Sequence, residues 1–289
     1  MPIFKGFDTT RDVPSLEGKV ILITGAGSGF GRLVAMKAAA RGASVVVSDI
    51  AEDALAETVS MVEEGGGQAL GIRADVTDRA AMRAFATKAF EHFGTIDVLV
   101  NNAGVMPLAF FSDHADADEA WDLCIDINLK GVLHGISAVY DIMIEQGRGH
   151  VVNVSSIYGN GPVPGAAVYG ATKAAVRFMS EALRQESQGR IKVTTIRPTG
   201  VPTTALGDGI INPAALGGIL GAGMPNFMEK MGEVFGEHPP PELTDPDQIS
   251  YFALSPDLLA DQIIFVIDQP WGVSISDITV RASGDTYML

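Results

Sequence analysis

The strongest constraint on the fold is a regular alternation of short β-branched runs with longer alanine-rich segments over the first two thirds of the chain. Residues 20–24, 44–49, 96–101, 150–155 and 192–196 form runs too short for stable helices and apolar on both faces. Strands read this way when helices cover both sides of a parallel sheet. Between them, residues 31–41, 52–64, 79–93, 116–145 and 167–187 carry helical spacing, and a weaker strand is expected over 69–73. The repeated order strand, helix, strand predicts right-handed crossovers and an α/β fold, a doubly wound parallel sheet with helices on both faces.

The alternation stops after Pro198. Residues 199–223 are rich first in Gly, Pro and Thr, then in Leu and Ile. A helix is predicted from Met224, with Met224, Phe227, Met228, Met231, Val234 and Phe235 on one face. His238 and the prolines at 239–241 end it, because proline cannot continue a helix. A helix over 256–267 and a last strand over 275–280 follow. No internal repeat or linker divides the chain, so residues 1–289 are expected to form one domain, with an N-terminal extension (1–18) and a helical insertion at about 205–240, before the last helix and strand.

Charge narrows the partners. The formal net charge of −15 repels nucleic acid and anionic membrane surfaces. No run of eighteen apolar residues is present, and the first eighteen residues carry no apolar signal region, so no membrane association is expected. The single cysteine, Cys124, excludes an internal disulfide framework and fits a reducing cytoplasm, where it is read as a small core residue. The five histidines and the carboxylates show no ligand spacing, and no metal is expected.

Between the first strand and the first helix lies Thr24-Gly25-Ala26-Gly27-Ser28-Gly29-Phe30-Gly31. Glycines there remove Cβ atoms, so that backbone and helix N-terminus can approach a pyrophosphate, as in a Rossmann-type dinucleotide site. Asp49 closes the second strand, followed by Ile50 and Ala51. Its carboxylate can accept hydrogen bonds from adenosine ribose hydroxyls and would repel a 2′-phosphate by roughly 4 kcal/mol at 4 Å and an effective dielectric near 20, before screening. NAD is therefore expected over NADP. Asp75 and Val76, and the run Asn101-Asn102-Ala103-Gly104, fall at the strand C-terminal edge where such sheets bind ligands.

Tyr169 and Lys173 are four residues apart on one helical face. Ser155 and Ser156 end the preceding strand, and Asn128 lies in the helix before it. Together these motifs make the sequence resemble the short-chain dehydrogenase/reductase family, in its single-domain branch, from Lys19 to about Thr204. The resemblance rests on TGAGSGFG, Asp49, the Asp75-Val76 pair, NNAG from Asn101, Asn128, NVSS ending at Ser156, YGATK from Tyr169, and the segment from Pro198 to Thr203.

The resemblance implies an NAD-dependent oxidoreductase that interconverts a secondary alcohol and a ketone. Its catalytic set would be Asn128, Ser156, Tyr169 and Lys173, with Ser156 preferred to Ser155 because the family's serine precedes the tyrosine by thirteen residues. Tyr169 would be the acid and base, its pKa lowered by Lys173 and the nicotinamide ring. Ser156 would hold the substrate oxygen, Lys173 also the nicotinamide ribose, and Asn128 a water that relays the proton. Cofactor contacts would come from Gly25, Ser28, Gly29, Phe30, Gly31, Asp49, Ile50, Asp75, Val76, Asn102, Ala103, Gly104, Tyr169 and Lys173, and beyond them from Pro198, Thr199, Val201 and Thr203.

Two departures stand out. Thr199 intervenes between Pro198 and Gly200, where the family usually joins proline directly to glycine, and the family's usual Val-Asp-Gly-Gly close is absent. A homodimer or homotetramer through the Asn128 and Tyr169 helices is expected. Relatives carry a substrate lid where this chain has residues 205–240. With Gly217, Gly218, Gly221 and Gly223 as hinges, its Met/Phe stripe and Met106, Leu108, Phe110 and Phe111 would face a bulky apolar or aromatic alcohol or ketone, steroid- or terpenoid-like. The competing readings are a nucleotide-sugar epimerase or dehydratase, and a catalytically silent NAD-binding sensor or scaffold.

Overall fold

The computed structural model describes residues 16–202 and 204–289. Most of the N-terminal extension, and Thr203, fall outside the described residues. The sheet is formed by β1 (Val20–Thr24), β2 (Ser44–Ser48), β3 (Gln68–Gly71), β4 (Val98–Asn101), β5 (Gly149–Val154), β6 (Ile191–Pro198) and β7 (Asp277–Val280). All neighbouring pairs are parallel, in the order β3-β2-β1-β4-β5-β6-β7. The chain's winding reverses between β1 and β4, and the reversal opens a crevice at the C-terminal ends of those strands.

The helices are α1 (Gly29–Ala39), α2 (Glu52–Glu64), α3 (Arg79–Phe93), α4 (His114–Ile125), α5 (Val132–Gln146), α6 (Ala167–Glu186), the short α7 (Gly217–Leu220), α8 (Met224–Val234), the short α9 (Pro241–Thr244) and α10 (Pro256–Ile267). Successive strand residues face opposite ways, and the core divides accordingly. Ile21, Ile23, Val45, Val98 and Ile196 meet Val34 and Ala38 of α1, Leu55 and Val62 of α2, and Ile263 and Ile264 of α10. Leu22, Val46, Leu99, Val151 and Val193 meet Met82 and Phe85 of α3, Val139 and Met143 of α5, and Leu183 of α6. Helices thus cover both faces, as the doubly apolar strands require.

Strand ends differ from the sequence reading by at most two residues, and β6 runs on to Pro198. The helix expected over 116–145 is continuous but not uniform. Between α4 and α5, Asp126–Gly131 forms a π-helical stretch, and Asn128 sits inside it. A wider turn shifts side chains out of the 3.6-residue register, which periodicity alone does not reveal.

The expected apolar stripe of α8 is divided. Phe227 and Met231 reach the crevice, whereas Met228 (54% exposed) and Phe235 (57%) face outward. No helix among the described residues is long and apolar enough to cross a membrane.

Candidate active site

A cleft of about 700 Å³ opens at the C-terminal edge of β1, β4, β5 and β6, a size usual for small-molecule and cofactor sites. Its first wall is the glycine turn. Gly25 has a positive φ of 63°, and a Cβ there would lie 2.8 Å from the Ala103 Cα. A Cβ on Gly31 would lie 2.7 Å from Asn102 Nδ2. Side chains at either position would push the β1 and β4 loops apart.

Those loops are stitched together. Asn102 Nδ2 donates to the carbonyls of Thr24 (2.9 Å) and Gly25 (3.0 Å). Thr24 Oγ1 accepts from the amides of Asn102 (3.1 Å) and Ala103 (3.2 Å). Ser28 precedes α1 without capping it through its side chain, so the first-turn amides remain available to an anion.

Ser28, Gly29, Phe30, Asp49, Ile50, Asp75, Val76 and Gly104 also line the cleft. Asp49 Oδ2 accepts from the Gly27 amide (2.9 Å) and Oδ1 from the Ala51 amide (3.0 Å). Each carboxylate oxygen keeps a further lone pair. Asp75 Oδ1 accepts from the Thr77 amide and hydroxyl, both at 2.8 Å. Gly31 is buried behind the turn and shapes it without reaching the cleft wall.

On the far side, Tyr169 and Lys173 project from α6 beside Ser155 and Ser156 at the end of β5. The two serines do different things. Ser155 Oγ donates to the Lys173 carbonyl (2.8 Å), fastening α6 to the sheet. Ser156 Oγ accepts from the Tyr158 amide (3.2 Å) and lies beside the Tyr169 phenol. Lys173 Nζ donates to the Val154 carbonyl (3.0 Å) and stands 5.8 Å from the centre of the Tyr169 ring.

Burial raises the Tyr169 pKa above its usual value, against a smaller lowering by the Ser156 hydrogen bond. It also brings the Lys173 ammonium down to about 8. The protein alone therefore does not produce the lowered phenol pKa expected from the Tyr169–Lys173 spacing, because desolvation of the phenolate outweighs the Ser156 hydrogen bond.

Asn128 is fully buried and lies behind the cleft wall, not on it. Its Oδ1 accepts from the Val105 amide (2.9 Å), and its Nδ2 donates to the Val105 carbonyl (2.8 Å). Gly104 fills the gap between Asn128 and Lys173, since a Cβ there would lie 3.1 Å from Asn128 Oδ1 and 3.5 Å from Lys173 Nζ.

Pro198, Thr199, Gly200 and Val201 complete the cleft beyond β6. Thr199 Oγ1 is buried and has no hydrogen-bond partner among the described residues. A buried hydroxyl without a partner is costly unless a ligand satisfies it. The extra residue after Pro198 thus offers a hydrogen-bonding group that a glycine could not.

Several pocket residues were not foreseen. Tyr158 packs edge-on against Tyr169, ring centres 5.5 Å apart, and lines the cleft, as does Tyr287. Tyr287 lies beyond the last strand, where no periodicity or motif marks it. Of the four residues expected from the loop after Asn101, only Met106 lines the cleft. Leu108 is buried in the core beneath it, Phe110 packs against that core, and Phe111 is 69% exposed beside Trp121. The loop folds back after Met106, and the Ala109 amide donates to the Gly165 carbonyl (2.9 Å).

Residues 19–210 match the family model described as short chain dehydrogenase. The chain belongs to that family. An uncharacterised oxidoreductase of Listeria monocytogenes is 34% identical over 273 residues, covering 94% of this chain and all of its own length. The 2,5-dichloro-2,5-cyclohexadiene-1,4-diol dehydrogenase of Sphingobium indicum is 39% identical over 189 residues, covering 65% of this chain and 75% of its own. A short-chain dehydrogenase/reductase of Burkholderia phymatum, solved with NAD, superposes with a TM-score of 0.71 at 29% identity over 92% of this chain and 89% of its own. A metagenomic short-chain oxidoreductase, 27% identical with a TM-score of 0.70 over 92% of this chain and 98% of its own, was solved with NADP. This short-chain dehydrogenase is accordingly an oxidoreductase with a Rossmann-type fold, in a family whose solved members bind NAD or NADP.

Proposed function

We propose that this protein interconverts a secondary alcohol and a ketone with NAD, using Tyr169 as proton donor and acceptor. The observation that carries the reading is the joint placement of Tyr169, Ser156 and Lys173 on one wall of a cleft whose other wall is the glycine turn. The residues fit a dinucleotide: Gly25 and Gly31 let the turn pack closely against the β4 loop, α1 presents its N-terminus, and Thr199 Oγ1 is a buried hydroxyl lacking a partner among the described residues. Gly25, Ser28, Gly29 and Phe30 would hold the pyrophosphate, Asp49 and Ile50 the adenosine end, and Asp75 and Val76 the adenine side. Asn102, Ala103, Gly104 and Lys173 would hold the nicotinamide ribose, and Pro198, Thr199, Val201 and Thr203 the carboxamide.

NAD held there would supply the hydride acceptor or donor for the substrate carbon, and its positive ring would favour phenolate nearby. Ser156 holds the substrate oxygen, and Tyr169 takes its proton in oxidation or gives one in reduction. Lys173 orients the ribose and supplies positive charge behind the phenol. Asn128, through Val105, fixes the loop that carries Gly104. Asp49 favours NAD because a 2′-phosphate would meet its carboxylate. Arg32, which reaches the same turn, is committed to the Gly27 and Ala54 carbonyls, the Thr58 hydroxyl and Glu57.

The substrate end is apolar, with Met106, Ile210, Leu216, Leu220, Phe227 and Met231 on its walls. These side chains support a bulky alicyclic or aromatic alcohol, and the relative named for a cyclohexadienediol supports a ring substrate. Residues 205–240 act as a lid over it, within one oxidoreductase domain. The substrate is a free small molecule, and the working form is a cytoplasmic homodimer or homotetramer. The test follows NADH absorbance at 340 nm across alcohols from butan-2-ol to polycyclic compounds. Each buried methylene should add about 0.8 kcal/mol to binding, so kcat/KM should climb along the series. A flat series, or best activity on a polyol, would overturn the apolar-substrate reading.

A further inference from the structure

A segment beyond the last strand, residues 281–289, reaches the cleft through Tyr287, and that segment is held in place at several points. Arg281 pairs with Asp285 (2.6 Å) and donates to the carbonyls of Tyr287 (2.7 Å) and Leu289 (2.8 Å). The Gly284 amide donates to the Tyr251 carbonyl (2.8 Å), and the Met288 amide donates to the Ile219 carbonyl (3.2 Å), so the strap is tied to both the body and α7. Between these ties the Tyr287 ring lies 5.7 Å from that of Phe227 on α8 and enters the cleft.

Its hydroxyl lies against the loop after β6. A Cβ on Gly200 would overlap that hydroxyl, so glycine at this position lets the phenol reach the loop beside Thr199. Burial raises the pKa of Tyr287, as it does for Tyr158, and the two phenols are close enough to influence one another. Tyr287 is therefore a neutral hydrogen-bond donor at ordinary pH. Its hydroxyl makes no hydrogen bond among the described residues, although its main chain is tied on both sides. A polar group fixed in this way, next to the apolar side chains Phe227, Leu220 and Met231, can complete a hydrogen bond to a polar substrate group.

We propose that Tyr287 recognises a second oxygen on the substrate, so that the site takes a hydroxyketone and its diol on an apolar skeleton in preference to a simple ketone. This rests on the alcohol–ketone reading above. In reduction, hydride from NADH joins the carbonyl carbon and the Tyr169 proton joins its oxygen, giving the diol and NAD. The second oxygen is unchanged and stays on the Tyr287 hydroxyl. Tyr287 acts as a specificity residue, since it discriminates between substrates without exchanging the reacting proton. A simple ketone offers this half-buried phenol no partner, which is how hydrogen-bonding pockets discriminate against analogues that lack the matching group.

The experiment measures kcat and KM with NADH for cyclohexanone, 2-hydroxycyclohexanone and 4-hydroxycyclohexanone, on the wild-type protein and on Tyr287→Phe. At least one hydroxyketone should exceed cyclohexanone by about tenfold or more in kcat/KM. Tyr287→Phe should remove that advantage mainly by raising the KM of the favoured hydroxyketone, with NADH binding and thermal midpoint retained. A wild-type protein that does not prefer either hydroxyketone overturns the proposal. So does a preference that survives Tyr287→Phe, or an equal loss on all three substrates, which marks a merely structural residue. Failure of the wild-type protein to reduce any ketone, in this set or in the larger alcohol series, overturns the alcohol–ketone reading itself.

Discussion

Asn128 grips the backbone of Val105 from both sides, accepting from its amide at 2.9 Å and donating to its carbonyl at 2.8 Å. The pairing joins the π-helical stretch before α5 to the loop after β4, and it holds Gly104 against Lys173. Asn128→Ala would deprive two partly buried backbone groups of their partners, at about 1–3 kcal/mol in total. Chemical denaturation of the protein without substrate should show that loss directly, together with a fall in kcat/KM. If activity fell with stability unchanged, the clasp on Val105 would not be what Asn128 contributes.

Tyr169→Phe removes one hydroxyl from a buried ring and leaves its packing against Tyr158 in place. Turnover should drop by about 10²-fold or more, while NADH binding measured by fluorescence stays close to that of the wild type. The serines should separate. Ser156→Ala should share the loss of rate, because Ser156 lies beside the phenol. Ser155→Ala should chiefly cost stability, about 1 kcal/mol, because its hydroxyl bonds the Lys173 carbonyl. Equal loss of rate at both serines would remove the distinction.

Legibility from sequence followed the range of each interaction. Tyr169 and Lys173 share a helical face, and Gly25 and Gly31 bracket a strand–helix junction, so local spacing exposed both pairs. The doubly apolar runs announced a sheet covered on both faces, and the order of motifs announced the family. The Asn128–Val105 clasp was hidden because it joins residues in a widened turn and an aperiodic loop. Tyr287 was hidden because it reaches the cleft through Arg281 and Gly200, which lie outside any repeating pattern. The apolar stripe of α8 was legible as a stripe, but which part would face the cleft depended on packing against Phe252 and Tyr287.

Asp49 should set cofactor choice. With its carboxylate on the cleft wall and Arg32 occupied elsewhere, NAD should be preferred to NADP by at least about two orders of magnitude in kcat/KM, as expected for one strong charge repulsion. Asp49→Ala should narrow the ratio, and Asp49→Arg should narrow it further or reverse it. Asp49→Ala also removes the acceptor for the Gly27 amide, so some weakening of NAD binding should accompany the change. Equal use of both cofactors by the wild-type protein would dismiss the role of Asp49.

Lys173 should trade stability for function. It is nearly fully buried, its charge is opposed by desolvation, and its pKa is lowered to about 8 from 10.5. A lysine with a lowered pKa binds fewer protons in the folded state than in the unfolded state between those two values, so its contribution to folding improves as pH rises through that window. Below about 8 the full penalty of burying the ammonium remains. Lys173→Met removes the charge and leaves the Val154 carbonyl without its donor, an opposing and smaller cost. The variant should therefore be more stable than the wild type at pH 7, by about 1–2 kcal/mol, while losing most of its turnover. Raising the pH from 7 to 9.5 should stabilise the wild type relative to Lys173→Met. Lys192, also lowered to about 8 by burial, is present in both proteins and cancels from the comparison. Urea titrations of the two proteins at both pH values supply the four numbers needed. A variant less stable than the wild type at pH 7, with no relative gain by the wild type at pH 9.5, would show that the buried ammonium is not a burden on the fold.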